Sequence, residues 1–200
     1  MGYKFTPGTD WVTPHIDVWN ELLNKEHVGK PVHYLEIGCF EGRATVWFLE
    51  NVLMHPDSTI TVVDTFEGSD EFTELHIKVT PFELKKRFYK NIIETGRDDQ
   101  VITWKQRSDV FLKICNREFD FAYIDGSHHA FDVLRDSVLA WDLLKIGGIM
   151  LWDDYAWNPP ADYGRDVPAT GIQAFLMAAQ EGIEYKILHW AYQVAVRKLR

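Results

Sequence analysis

Two acidic clusters carry the densest chemistry in this chain. Tyr123-Ile-Asp-Gly-Ser-His-His129 closes the apolar run Phe119–Ile124, and Leu151-Trp-Asp-Asp-Tyr155 closes the run 148–152. Short continuous apolar runs of this kind read as buried strands of a parallel sheet. Asp125, Asp153 and Asp154 are then expected at strand carboxyl ends, the edge where open α/β sheets bind ligands. Three carboxylates gathered there repel one another unless a cation sits among them. A hard divalent ion with oxygen ligands, Mg²⁺ or Mn²⁺, answers that need. The plainer reading is that Asp153 and Asp154 only begin a turn.

A second group lies earlier. The strand-like run 32–37 ends in Gly38-Cys-Phe-Glu-Gly42, and the run 59–63 ends at Asp64. Glycines let a ligand approach the backbone, and a helix starting near Ala44 would aim its N–H groups at an anion. Asp64 can accept hydrogen bonds from a ribose diol. The glycine spacing is not G-x-G-x-x-G, which argues against NAD or FAD. Glu36 lies inside the strand, where a carboxylate must be paired or must face a cation. A sulfonium-bearing amino acid attached to adenosine would supply cation, amine and diol together.

The elements that must position these residues alternate along the chain. Helical spacing covers 15–24, 44–52, 81–95, 109–115, 130–144 and 171–180, the third opened by Pro81 in a first helical turn. Lys145-Ile-Gly-Gly148 reads as a glycine-terminated helix end. Strand patterns cover 32–37, 59–63, 101–105, 119–124, 149–152, 185–190 and 193–198. Alternation of this kind predicts a doubly wound α/β sheet of seven strands. The last two strands are separated by only Ala191-Tyr192, so they are expected to pair antiparallel, with one strand running against the rest.

Two hundred residues, 46% hydrophobic and 26% charged, fit one domain spanning 1–200 with a substantial core. A net charge of −9 argues against nucleic-acid binding, which needs a basic footprint. No apolar run reaches a membrane span, and the N-terminus lacks a signal-peptide pattern. Cys39 and Cys115 make no disulfide framework, so a cytoplasmic, reducing setting is expected.

The segment 34–45, Tyr-Leu-Glu-Ile-Gly-Cys-Phe-Glu-Gly-Arg-Ala-Thr, resembles the first motif of class I S-adenosylmethionine-dependent methyltransferases. Val62-Val-Asp64 resembles the second motif, and Arg107-Ser-Asp109 the segment lining the adenine. Within that superfamily the Asp-Gly-x-His and Asp-Asp-Tyr pairing is similar to metal-dependent small-molecule O-methyltransferases. The likeness is strongest to the branch that methylates sugar hydroxyls in macrolide and aminocoumarin pathways, with catechol-type enzymes more distant. Asp125 and Asp153 stand 28 positions apart, as the corresponding ligands do in the catechol type.

The resemblance implies a Rossmann-like fold and a cofactor site at Glu36, Gly38, Gly42, Thr45, Asp64, Ser108 and Asp125. It implies metal ligands Asp125, Asp153 and Asp154, and a methyl acceptor that is a sugar hydroxyl on a deoxysugar or glycan end. Relatives that use an Asp as base two places after the first ligand have Ser127 here, and the catechol type's Lys has His128 in its place. An imidazole suits the proton transfer, so His128 is the expected base and His129 a weaker one, beside Asp125. Each could equally cap or support. Trp157, Asn158, Tyr163 and Arg165 are acceptor-binding candidates, or an ordinary surface loop. Glu67 and Asp70 suggest a lid or a solvated loop. Tryptophans near loops, Trp11 and Trp157 among them, could cover a sugar ring. The short N-terminal part leaves room for a homodimer or for one domain of a larger enzyme. Catechol-type chemistry, another reaction on the same fold, and a non-catalytic cofactor-binding module are the competing readings.

Overall fold

The computed structural model describes residues 2–68, 77–158 and 164–200. A 3₁₀ turn at Thr13–His15 leads into α1 (Ile16–His27). Then follow β1 (His33–Ile37), α2 (Arg43–Asn51), β2 (Thr59–Asp64), α3 (Pro81–Glu94), β3 (Val101–Lys105) and α4 (Ser108–Ile114). The chain closes with β4 (Phe119–Ile124), α5 (Ala130–Leu143), β5 (Leu144–Trp152), α6 (Pro168–Ala178), β6 (Tyr185–Trp190) and β7 (Val194–Lys198).

The seven strands form one sheet in the order β3-β2-β1-β4-β5-β7-β6. β1 pairs in parallel with β2 and β4, and β7 runs antiparallel to both β5 and β6. One reversed strand in an otherwise parallel sheet is what the short final hairpin predicted. Strands β1 and β4 are apolar on consecutive residues because helices cover both faces. Tyr34, Phe121 and Tyr123 pack with Trp19 and Phe48 on the α1–α2 side. Leu35, Ile37, Ala122 and Ile124 join Val133, Phe175 and Trp152 on the α5–α6 side. The sheet is wound outward in both directions from the β1–β4 boundary, so that boundary is the switch point where a crevice opens.

Two expectations need correction. α1 continues to His27 instead of ending at Asn24, since no breaker precedes Val28 and Gly29. Lys145–Gly148 is not a glycine-terminated helix end. Leu144 turns extended directly after α5, and these residues form the start of β5, where Lys145 Nζ reaches both oxygens of Asp120 at 2.8 and 2.9 Å. Gly148 has backbone so close that a Cβ would lie 2.9 Å from the Lys145 carbonyl oxygen and 3.0 Å from that of Asp120. Gly148 serves a close strand entry, with a register shift in β5 against β4, and not a helix cap. No helix among the described residues is long and apolar enough to cross a membrane.

Candidate active site

At the switch point, the carboxyl ends of β1, β4 and β5 are stitched together by their own backbone. Asp125 N–H donates to the Ile37 carbonyl at 2.8 Å, and Asp153 N–H to that of Ile124 at 3.0 Å. Gly38 takes φ +79°, and a Cβ there would lie 2.0 Å from the Asp125 carbonyl oxygen. Only glycine fits such an approach. Above this junction lies a cavity of about 690 Å³.

One end of the cavity is built by the glycine turn. Asp64 Oδ2 accepts from the amides of Cys39 (2.8 Å) and Phe40 (3.3 Å), and its Oδ1 accepts from Phe66 (2.6 Å). These bonds hold Phe40 and Phe66 in the left-handed region, at φ +50° and +56°. Glu36 is fully buried at the cavity wall; its Oε2 accepts from the Thr45 hydroxyl at 2.6 Å and its Oε1 has no hydrogen-bond partner among the described residues. Burial raises its carboxyl to about 8, and the charge of Asp64 adds to the shift. An orphaned buried acceptor facing a cavity fits a ligand with an ammonium group. Farther out, beyond Gln106, the Ser108 hydroxyl donates to Asp136 Oδ1 at 2.7 Å, and both residues line the cavity.

The other end gathers the acids. Donor atoms of Asp125, His128 and Asp154 all lie within 4.8 Å of one another, with His128 Nε2 2.9 Å from Asp154 Oδ2. Asp154 sits at φ +59°, and the Tyr192 hydroxyl donates to its Oδ1 at 2.6 Å. Asp153 is turned inward. Its Oδ2 accepts from the Tyr123 hydroxyl and its Oδ1 from the Asp154 amide at 2.8 Å. Loss of water pushes the carboxyls of Asp125 and Asp153 up, and the neighbouring carboxylates push them further. A divalent cation would relieve that repulsion, so the donor set fits a hard metal ion.

The structure thus brings Glu36, Gly38, Asp64, Ser108, Asp125, His128, His129, Asp153, Asp154 and Trp157 to one cavity. Other expected residues fall elsewhere. Gly42 caps α2 with φ +81° and faces the Phe88 ring from α3, and Thr45 stands behind Glu36 as its hydrogen-bond donor. His129 lines the cavity, but its Nδ1 is committed to Asp166 Oδ2 at 2.8 Å, which ties the start of α5 to the segment before α6. Asn158 and Arg165 are exposed and do not line the cavity. Tyr163 and Asp70 lie outside the described residues, and Glu67 is exposed on the segment after β2.

Three residues at the site escaped the sequence reading. Tyr192 stacks on His15 with ring centroids 5.3 Å apart, and both line the cavity, as does Asp136. The signal for Tyr192 was available. If β7 returns antiparallel beside β5, the turn before it must stand at the carboxyl edge next to Asp154. His15 and Asp136 depend on tertiary packing that no local pattern encodes.

Fold and site together define a class I S-adenosylmethionine-dependent methyltransferase architecture. A protein-family model described as a methyltransferase domain matches residues 35–155, more than half of the chain, and the chain belongs to that family. No curated protein matches it. Among solved structures, a Clostridium thermocellum protein provisionally described as an rRNA methylase superposes with TM-score 0.67 at 13% identity, covering 94% of this chain and 95% of its own. A Klebsiella pneumoniae protein provisionally assigned as an O-methyltransferase gives 0.67 at 15% identity, with 97% and 84% covered. The O-methyltransferase TomG from Streptomyces achromogenes, involved in tomaymycin synthesis and solved with S-adenosylmethionine, gives 0.65 at 14% identity, with 94% and 80% covered. At such identities these likenesses establish the fold alone.

Proposed function

We propose that this chain is a divalent-metal-dependent O-methyltransferase that moves a methyl group from S-adenosylmethionine to a sugar hydroxyl, on a deoxysugar or glycan end. The observation that carries the reading is the convergence of Asp125, His128 and Asp154 at one end of a cavity whose other end offers Glu36 and Asp64. In this reading Glu36 pairs with the cofactor's ammonium and Asp64 accepts from its ribose, while Ser108 meets its base. Asp125 and Asp154 would hold Mg²⁺ or Mn²⁺; Asp153, expected as a third ligand, has its oxygens engaged by the Tyr123 hydroxyl and the Asp154 amide. Such an ion, when bound, lowers the pKa of a coordinated hydroxyl and fixes its direction.

The chain's own residues then align an in-line displacement. As the base, His128 takes the proton from the attacking oxygen on the ring nitrogen that Asp154 does not hold, while Asp154 Oδ2, 2.9 Å from Nε2, stabilises the imidazolium that results. The aromatic wall of Trp157, His15 and Tyr192 covers the apolar face of the acceptor ring. A vicinal diol would offer two adjacent hydroxyls to such an ion; catechol offers the same pair and is the alternative acceptor. The net charge of −9 favours a small neutral acceptor over a nucleic acid. Two cysteines without a disulfide suit a cytoplasmic setting.

The decisive test is incubation with labelled S-adenosylmethionine and a panel of sugars and catechols, with Mg²⁺ or Mn²⁺ and then with chelator. Methyl transfer to a sugar that stops with chelator and returns with metal is expected; full activity in excess EDTA sinks the metal reading, and catechol-only transfer overturns the sugar. A second reading follows from the 4.8 Å grouping itself, with His128 as a ligand and not the base. Calorimetry of His128→Ala separates them. As base, its loss lowers kcat by about 10²–10⁴ with metal affinity kept; as ligand, metal affinity falls as well.

A further inference from the structure

Asp136 is a buried carboxylate on α5 with no part in the methyl transfer itself. It is 3% exposed and lies at the cavity wall. Its Oδ1 accepts from Ser108 Oγ at 2.7 Å, across the contact between α4 and α5. Ser108 stands where a nucleoside base must arrive. Asp64 is in register with Lys105 across β2 and β3, and the Gln106 amide donates to the Asp64 carbonyl at 3.1 Å. A ribose held on Asp64 therefore projects its base toward residues 106–108.

A hydroxyl has one hydrogen to donate and two lone pairs to offer. An ionised carboxylate accepts only. With its hydrogen committed to Asp136, Ser108 presents only lone pairs to the cavity. We propose that Asp136 is a positioning residue that fixes Ser108 as an acceptor toward the cofactor's base, so the site selects a 6-amino purine and rejects a 6-oxo purine. The adenine amine would donate to Ser108 Oγ; the carbonyl oxygen of hypoxanthine would meet it lone pair to lone pair.

The surroundings agree with the ionised form at neutral pH. Burial raises the Asp136 carboxyl to about 6, the Ser108 hydrogen bond opposes that rise, and Asp132 adds to it while Arg135 lowers it. From α4, Asp109 faces it as a further acid, itself paired with Arg107 at 3.0 Å and Lys113 at 3.4 Å.

This inference rests on the S-adenosylmethionine reading, and the test keeps the two apart. Calorimetry would compare S-adenosylhomocysteine with S-inosylhomocysteine, its 6-oxo analogue, on the whole chain. The wild type should prefer the adenine form roughly tenfold or more, because a site built to accept one hydrogen bond penalises the group that cannot donate it. In Asp136→Ala the hydroxyl turns freely, and the preference should shrink to within about threefold. Ser108→Ala, a small change at a cavity wall, should erase the preference in the same way, so the test stands even where the Asp136 variant fails to fold. Adenine preference retained in either folded variant, or absent in the wild type, overturns the proposal. No binding of S-adenosylhomocysteine to the wild type would sink the cofactor reading and this inference with it.

Discussion

Glu36 shows how one buried atom links stability to ligand binding. Its carboxyl is raised from the ordinary 4.5 to about 8, chiefly by burial. The folded protein without cofactor therefore holds a proton there that the unfolded chain releases above about pH 4.5. Stability from this group is full below that pH and is lost as pH rises toward 8. Glu36→Gln, which keeps the shape and cannot ionise, should remove that loss, worth roughly 2–4 kcal/mol between pH 5 and 8. Thermal melts of the two proteins at both pH values check it, and equal pH slopes would show that Glu36 is not the titrating group. The same substitution should weaken S-adenosylhomocysteine binding at pH 8, because the amide cannot pair with an ammonium. At this scale the sequence was informative wherever a carboxylate stood inside or at the end of an apolar run, as Glu36, Asp64, Asp125 and Asp153 do. It was silent on Asp136 and His15. Asp136 reads as an ordinary polar position of an amphipathic helix until α4 packs against it, and His15 becomes a wall only through its stack on Tyr192.

Elements place these atoms through a few tight junctions, of which the approach of Gly38 to Asp125 is the tightest. Gly38→Ala would force a Cβ to 2.0 Å from a backbone oxygen at φ +79°. The change should cost more than about 3 kcal/mol or abolish folding. Gly147→Ala is the matched control: φ is +86° and nothing lies within 4 Å of the added carbon, so only the backbone penalty of about 1–2 kcal/mol is expected. Chemical denaturation of both separates steric contact from conformational preference, and equal costs would remove the special role of the β1–β4 junction. Strand cores and the reversed last strand were legible because fully buried strands carry continuous apolar runs and a two-residue connection permits only a hairpin. Lys145–Gly148 misled because a glycine pair after a helical pattern has two meanings. It can end a helix in the left-handed region, or it can let a strand pass close to its neighbour, and only the carbonyls of Asp120 and Lys145 decide between them. Gly42 misled similarly, since its spacing from Gly38 suggests a ligand loop while its place is the cap of α2 against Phe88.

Across the whole molecule, the segment before α1 is joined to the glycine turn after β1 through one buried acid. Glu41, fully buried within that turn, accepts from the Thr6 amide at 2.6 Å, from the Thr6 hydroxyl at 2.7 Å and from Arg87 of α3 at 2.7 Å. Asn91 of α3 completes the clasp, donating to the carbonyls of Lys4 and Glu41 at 3.0 and 2.9 Å. The segment so held carries Trp11, which packs on Phe40 with centroids 5.4 Å apart, and delivers His15 to the wall beside Tyr192. Nothing in the sequence marks this, because Thr6, Glu41 and Arg87 are far apart in the chain and each is of a type usually found at the surface. The arrangement makes the His15–Tyr192 wall of the cavity depend on the contacts of Glu41. Glu41→Ala removes three hydrogen bonds and leaves Arg87 without this acceptor, so residues 4–12 should open locally at a cost of about 1–3 kcal/mol. Hydrogen exchange at the Thr6 amide and its neighbours should quicken by roughly tenfold or more, while amides of β1 and β4 keep their protection. Under the proposed activity, acceptor KM should rise with cofactor affinity nearly kept, because the wall loosens while Asp64 still holds the turn from the other side. Unchanged exchange in residues 4–12, or a loss of cofactor affinity as large as the rise in acceptor KM, would mean that Glu41 only stabilises the turn and that the segment is held by its apolar contacts.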